Sequence, residues 1–250
     1  MNASAGIGPP RILALWSAPR SRSTAFLRMM AERGDFTVVH EPFSQVVDFG
    51  EVAVAGRVVR SERAAIAALR GLAGRGPVFF KDTTDFRFPG VLGDGAFLDE
   101  VTHTFAIRHP AEAIASHFAL NPELGQDEIG YQWLCELYDV VLARTGRAPV
   151  VIDSNDLVSA PEATVRAYCD AVGIPFVARA LSWREGMRED WRRTRRWHER
   201  TSATTGFTKV AGDYRDTPAN NELLAGYLAH HLPFYERLLA ARLPVGGARR

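Results

Sequence analysis

Twice in this chain an apolar run ends in a polar turn that leads straight into a helical pattern. The first run, Ile12 to Trp16, passes through Ser17-Ala18-Pro19-Arg20-Ser21-Arg22-Ser23-Thr24 into Ala25-Phe26-Leu27-Arg28-Met29-Met30, whose apolar residues recur at helical spacing. The second, Val101 to Ile107, passes through Arg108-His109-Pro110 into a helix over Ala111 to Phe118, with Pro110 at its first turn. Short apolar runs at Phe36–His40, Pro77–Asp82 and Pro149–Asp153 read as further strands. Helical patterns cover Ser61–Leu72, Gln126–Arg144, Pro161–Val172 and Asn220–Leu239. Strands alternating with helices in this way predict an α/β fold, a parallel sheet covered on both faces.

The connections are less patterned. Asp48 to Arg60 predicts a loop or a short helix, and the Pro- and Gly-rich stretch Phe86 to Gly95 predicts a loop. Beyond Pro175 the pattern changes: Trp183, Trp191 and Trp197 stand among seven arginines between Arg184 and Arg200, and Thr204-Thr205-Gly206-Phe207 makes a turn. The length of 250 residues, 46% of them hydrophobic, suffices for one large core. We expect a single domain over residues 11–243 between disordered ends at 1–10 and 244–250.

A net charge of +1 gives no global field for nucleic acid or an anionic membrane. The basic residues are arginines except for Lys81 and Lys209, which makes each lysine worth separate attention. Cys135 and Cys169 form neither a disulfide framework nor a metal-ligand set. The opening residues lack the apolar core of a signal peptide and no run approaches a membrane span, so the expected location is cytoplasmic.

A turn entering a helix exposes unpaired N–H groups and the positive end of a dipole, so the hydroxyl- and Arg-bearing turn at 19–24 is a candidate anion seat. It lacks the glycines and lysine of a nucleoside-triphosphate P-loop. Pro19-Arg20-Ser21-Arg22-Ser23-Thr24 instead resembles the phosphosulfate loop of the sulfotransferases that use 3′-phosphoadenosine 5′-phosphosulfate, with Arg22 where that family carries glycine. Arg108, Pro110 and Ser116 resemble the same family's 3′-phosphate motif, R-x-P-x-x-x-x-x-S.

The resemblance implies a P-loop-NTPase-like three-layer sandwich with a central, mainly parallel sheet, and transfer of a sulfuryl group to a hydroxyl of a small molecule. No metal is implied, because fixed donors can neutralise the transferring group. Pro19 through Thr24 would then hold the 5′-phosphosulfate, with Arg20 also acting in catalysis, and Arg108 and Ser116 would hold the 3′-phosphate. Glu41, at the end of the next strand, resembles the family's glutamate base. Asp82 and His40 remain alternatives, although strand alternation would turn His40 to the opposite face. Partial burial would raise the pKa of Glu41 toward a useful value. Lys81 would support the developing charge. The basic C-terminal sequence that closes over the nucleotide in the family is missing, and Arg195, Arg200 or the Thr205-Gly206-Phe207 turn is its candidate substitute. Arg22 either points outward or reaches the acceptor.

Two rival readings stand beside this one. Asp153, at a strand end, would suit a magnesium-dependent small-molecule kinase, although Asp156-Leu157 to Pro161-Glu162 resembles a structural helix entry of the sulfotransferases. A catalytically inactive nucleotide-binding protein of the same fold would bind without turnover. Neither nucleic acid nor membrane is an expected partner, and oligomeric state is left open, a homodimer being one option.

Overall fold

The computed structural model describes residues 10–209 and 212–245. The disorder expected at the ends concerns, apart from Pro10, Pro244 and Val245, residues outside that description. In chain order the strands are β1 (Ile12–Ser17), β2 (Thr37–His40), β3 (Val52–Val54), β4 (Arg57–Val59), β5 (Val78–Thr83), β6 (Val101–Ile107) and β7 (Val150–Asp153). Five of them form one sheet in the order β2-β5-β1-β6-β7, every pair parallel.

Each residue of β1 is buried, because the strand is paired on both edges and covered on both faces. Its side chains alternate between two cores. Ile12, Ala14 and Trp16 join one with Phe80 and Phe105; Leu13 and Leu15 join the other with Phe79 and Ile152. The first core is roofed by α3 (Glu62–Ala73), α5 (Gly95–Glu100), α6 (Pro110–Phe118), α7 (Tyr131–Thr145) and α11 (Glu222–Ala240). The second is roofed by α1 (Ser23–Arg33), α8 (Ser154–Ser159) and α9 (Pro161–Val172), with Trp183 and Trp191. The remaining helices, α2 (Ser44–Phe49), α4 (Pro89–Gly93) and α10 (Glu199–Ser202), are short. The result is the three-layer α/β sandwich that the alternating pattern predicts. No helix among the described residues is long and apolar enough to cross a membrane.

Three expectations need correction. Residues 48–60 are neither loop nor a single short helix: β3 and β4 form an antiparallel hairpin turned at Ala55 and Gly56, both at positive φ. Three-residue strands are too short to show a period, yet Val52 and Val54 are buried while Ala53 is exposed. Residues 86–95 are not all loop, because Pro89 opens α4 and the Asp94 side chain accepts from Phe97 N at 2.9 Å, capping α5. The long helix starts at Tyr131 rather than near Gln126. Gly130, at φ 81°, separates α7 from a 3-10 turn at Asp127–Ile129, and a Cβ there would lie 2.4 Å from the Thr84 carbonyl oxygen.

Beneath the β1 face, Trp16, Phe43, Phe80, Phe88 and Phe97 form an aromatic cluster with ring centroids 5.3–6.3 Å apart. Phe97→Ala should therefore cost about 3–5 kcal/mol in urea unfolding through cavity formation. A loss under about 1 kcal/mol would show that this cluster does not carry the packing.

Candidate functional site

The carboxyl ends of β1, β2, β5 and β6 open onto one cleft of about 510 Å³, the place where open parallel sheets bind ligands. Pro19 through Ala25 form one wall, with Glu41, Lys81, Arg108 and Ser116 beside them; residues 193–198 close the far side.

In the β1–α1 loop, Arg20 (φ 65°) and Arg22 (φ 59°) both adopt the left-handed conformation. Side chains other than Gly, Asn or Asp seldom sit there, and two such residues flanking Ser21 turn the chain sharply into α1. Arg22 thus takes by force the backbone state that a glycine would take freely. Its guanidinium neither points outward nor reaches across the cleft: it donates to Ser154 Oγ and Asn155 Oδ1, both at 3.0 Å, pinning the loop to the start of α8. Ser17 Oγ donates to Ser23 Oγ at 2.8 Å, whereas Ser21 Oγ is buried without a hydrogen-bond partner. A buried hydroxyl left open beside the first N–H groups of a helix fits an anion at this loop.

Arg108 directly follows β6 and directs Nη1 to the Arg20 carbonyl at 3.1 Å, while Nε donates to Glu112 at 2.9 Å. Ser116, two turns along α6, accepts from Arg20 Nε at 3.1 Å. The two motifs therefore meet at one point in space. Arg20 also donates to the Trp197 carbonyl at 2.9 Å, tying the far wall to the loop. Burial, with repulsion from Arg200 and Arg108, lowers the Arg20 pKa to about 10. An anion arriving there would relieve both effects.

Glu41 directly follows β2 with φ 47°, its N–H donating to the Lys81 carbonyl at 2.7 Å. Lys81, only 2% exposed, donates its ammonium to Glu41 Oε1. The left-handed turn at Glu41 breaks strand alternation, so His40 is not on the opposite face: its Nε2 lies 3.4 Å from Glu41 Oε2. The expected rise in the Glu41 pKa is also reversed. Burial alone would raise it, but the charges of His40 and Lys81 outweigh burial and hold the carboxylate well below its ordinary value. Glu41 lines the cleft; His40 lies behind it.

Asp82 and Asp153 have structural tasks. Asp82 accepts from Phe43 N at 2.7 Å and Ser44 N at 3.1 Å, holding the start of α2 and with it the chain just after Glu41. Asp153 accepts from Asn155 N at 2.8 Å as the cap of α8. Neither lines the cleft.

The Arg/Trp-rich segment, with a 3-10 stretch at Glu189–Trp197 kinked at Thr194, forms the far wall. Arg195 pairs with Glu199 at 3.6 Å and Arg200 donates to Tyr214 at 2.6 Å, and both arginines line the cleft. Gly206 and Phe207 line it too, Phe207 packing on Trp183 at 5.4 Å. Thr205 does not; it is exposed and offers its carbonyl to Trp183 N at 3.0 Å.

His198 is a residue that sequence reasoning missed. It is 2% exposed, with Nδ1 3.3 Å from Thr24 Oγ1 and Nε2 3.0 Å from Thr194 Oγ1, and lines the cleft. His117, next to Ser116, was missed as well, and its ring meets Trp197 edge-on at 5.2 Å. Ligand atoms of His40, Glu41 and His198 lie within 4.8 Å of one another, a geometry open to a metal, but the Lys81 ammonium on Glu41 opposes a cation there.

With this geometry in view the family is plain. A profile described as a sulfotransferase domain matches residues 10–242, and the chain belongs to that family. Two curated proteins of Arabidopsis thaliana are similar. Branched-chain-amino-acid aminotransferase-like protein 2 is 30% identical over 79% of this chain and 36% of its own length. Branched-chain-amino-acid aminotransferase-like protein 1 is 28% identical over 92% of this chain and 42% of its own. The chain thus spans less than half of either relative. Among solved structures, the sulfotransferase domain from the curacin biosynthetic pathway aligns with a TM-score of 0.44 at 16% identity, over 95% of this chain and 100% of that one. The sulfotransferase domain of the Synechococcus PCC 7002 olefin synthase aligns with a TM-score of 0.46 at 13% identity, over 93% and 98%.

The buried titratable groups set a pH dependence of folding. Burial holds His103 and His231 down at about 4 and His117 and His198 at about 3, and pushes Asp82 and Asp85 up to about 7. Between about pH 4 and 6.5, unfolding takes up protons at four histidines and releases them from Asp82 and Asp85 and, in part, from Asp48 and Asp153, whose pKa values burial also raises; the histidines outweigh the aspartates, a net uptake. Stability should therefore rise with pH across that window, and His103→Gln should flatten the slope by about one proton. The depressed Glu41 pKa adds a further loss of stability at lower pH, as its carboxylate is protonated. Urea unfolding at stepped pH checks this; a flat or falling profile between pH 4 and 6.5 would contradict the burial described.

Proposed function

We propose that the cleft transfers a sulfuryl group from 3′-phosphoadenosine 5′-phosphosulfate to a hydroxyl of a small-molecule acceptor. The observation that carries this reading is the meeting of the two motifs: Arg108 donates to the Arg20 carbonyl, and Ser116 accepts from the Arg20 side chain, across 88 and 96 residues of chain. Ser21 to Thr24 hold the 5′ end through backbone N–H groups and the open Ser21 hydroxyl, and Arg108 with Ser116 holds the 3′-phosphate.

Glu41 accepts the acceptor's proton. The oxygen of that hydroxyl forms its bond to sulfur as the bond from sulfur to the bridging oxygen breaks, leaving adenosine 3′,5′-bisphosphate. Lys81 and Arg20 stabilise the charge that builds on the departing oxygen. As Lys81 turns toward that charge it releases Glu41, whose basicity then rises when the proton arrives. The wall at 193–198, tied to Arg20 through the Trp197 carbonyl, excludes water.

Titration with adenosine 3′,5′-bisphosphate and with ATP–magnesium tests the reading. The bisphosphate should bind without metal, and tight ATP binding with no bisphosphate binding would overturn it in favour of a kinase. Arg108→Ala should weaken bisphosphate affinity by about 1.5–3 kcal/mol through loss of a charge-assisted contact; unchanged affinity would mean that Arg108 does not hold a phosphate. Glu41→Gln should leave that affinity in place and lower turnover by about 10²–10⁴-fold, the usual range for a general base. Normal turnover would remove Glu41 from the role, and no turnover in the unaltered protein would favour a binding protein.

A further inference from the structure

The end of the cleft beyond Glu41 has its own chemistry. Asp48 from the last turn of α2, Asp85 from the β5–α4 connection and Glu128 from the turn before α7 all line it, together with the rings of Phe49 and Phe86. These side chains come from three separate parts of the chain. Asp85 Oδ1 is buried without a hydrogen-bond partner. A buried carboxylate oxygen left unpaired is costly unless a cation or a proton reaches it.

Among the described residues no cation forms an ion pair with these three carboxylates, although Arg196 and Arg193 act on Asp48 from farther off. Lys81 donates to Glu41. Arg193 lies 3.8 Å over the Phe49 ring and donates to the Glu51 carbonyl at 3.4 Å. Arg196 lies 4.4 Å from the Trp197 ring. Glu128 accepts only a backbone N–H, that of Gly125, at 2.6 Å.

We propose that this acidic, aromatic-lined end binds the positively charged nitrogen of the acceptor, so that the substrate class is a small alcohol bearing an ammonium group. This rests on the sulfotransferase reading above, since the hydroxyl is the group placed at Glu41. The carboxylates of Asp48 and Asp85 supply charge-assisted acceptors, and Phe86, with the part of Phe49 that Arg193 leaves uncovered, suits an ammonium or its methylated form. Burial and repulsion from Glu41 raise the pKa of Asp85, and the same two causes raise that of the more exposed Asp48 against the pull of Arg196 and Arg193. The acceptor is small, because the same cleft of about 510 Å³ must also hold the nucleotide.

The test uses the full chain, with and without saturating adenosine 3′,5′-bisphosphate. Binding of choline and ethanolamine is measured by calorimetry against their uncharged counterparts, 3,3-dimethylbutan-1-ol and propan-1-ol. Each cation should bind about tenfold or more tightly than its counterpart, the scale of one charge-assisted contact. Asp85→Asn should abolish the preference and Asp48→Asn should reduce it, with bisphosphate affinity serving as the check that each variant is folded. Equal or better binding of the neutral alcohols, no binding of either cation, or an undiminished preference in both folded variants would overturn the proposal. If the bisphosphate binds and no cation preference appears, this inference fails alone. If the cation preference appears and the bisphosphate does not bind, the nucleotide reading fails and the acidic site stands.

Discussion

The pairing of β1 with a parallel neighbour on each edge is the constraint from which the site follows. Its register sets Ser17 beside Thr83 of β5 and Ala106 of β6, so that three strands end at the same level. Arg20, Lys81 and Arg108 lie within a few residues of those ends. β2, paired to β5 with His40 beside Lys81, brings Glu41 to the same edge. Residues scattered over the first half of the chain thus converge on one edge of the sheet through strand pairing.

Three non-glycine residues in left-handed conformation stand at this edge, Arg20, Arg22 and Glu41. Each costs backbone energy of order 1 kcal/mol or more, and such strain persists where surrounding contacts hold it. Here those contacts are visible: Arg108 on the Arg20 carbonyl, Ser154 and Asn155 on the Arg22 side chain, the Lys81 carbonyl on the Glu41 N–H. Arg20 and Glu41 line the cleft from two of the strained positions, and Arg22 at the third pins the loop to α8.

The sheet and both polar turns were legible in the sequence because central parallel strands, buried on both faces, leave continuous apolar runs such as Ile12–Trp16 and Val101–Ile107. The β3–β4 hairpin was not, since its strands are three residues long, and α4 hid in a stretch whose Pro and Gly suggested only a loop. The proximity of His40 to Glu41 depended on a positive φ that no residue type there announces. The far wall carries no period because it is built of 3-10 turns with a kink at Thr194, so His198 gave no signal and Trp197 stood out only as one of three tryptophans among arginines. The unpaired Oδ1 of Asp85 is a fact of three dimensions alone: a sequence does not say which buried polar atoms lack partners.

The central claim is that the β1–α1 loop and the β6–α6 turn hold the two phosphate ends of one nucleotide. A crystal structure with adenosine 3′,5′-bisphosphate tests it most directly. The account predicts the 5′-phosphate on the N–H groups of Ser21 to Thr24 and the 3′-phosphate on Arg108 and Ser116, with Arg20 Nε released from Ser116. A bisphosphate bound outside the cleft, or with its phosphates at the opposite ends, would contradict it.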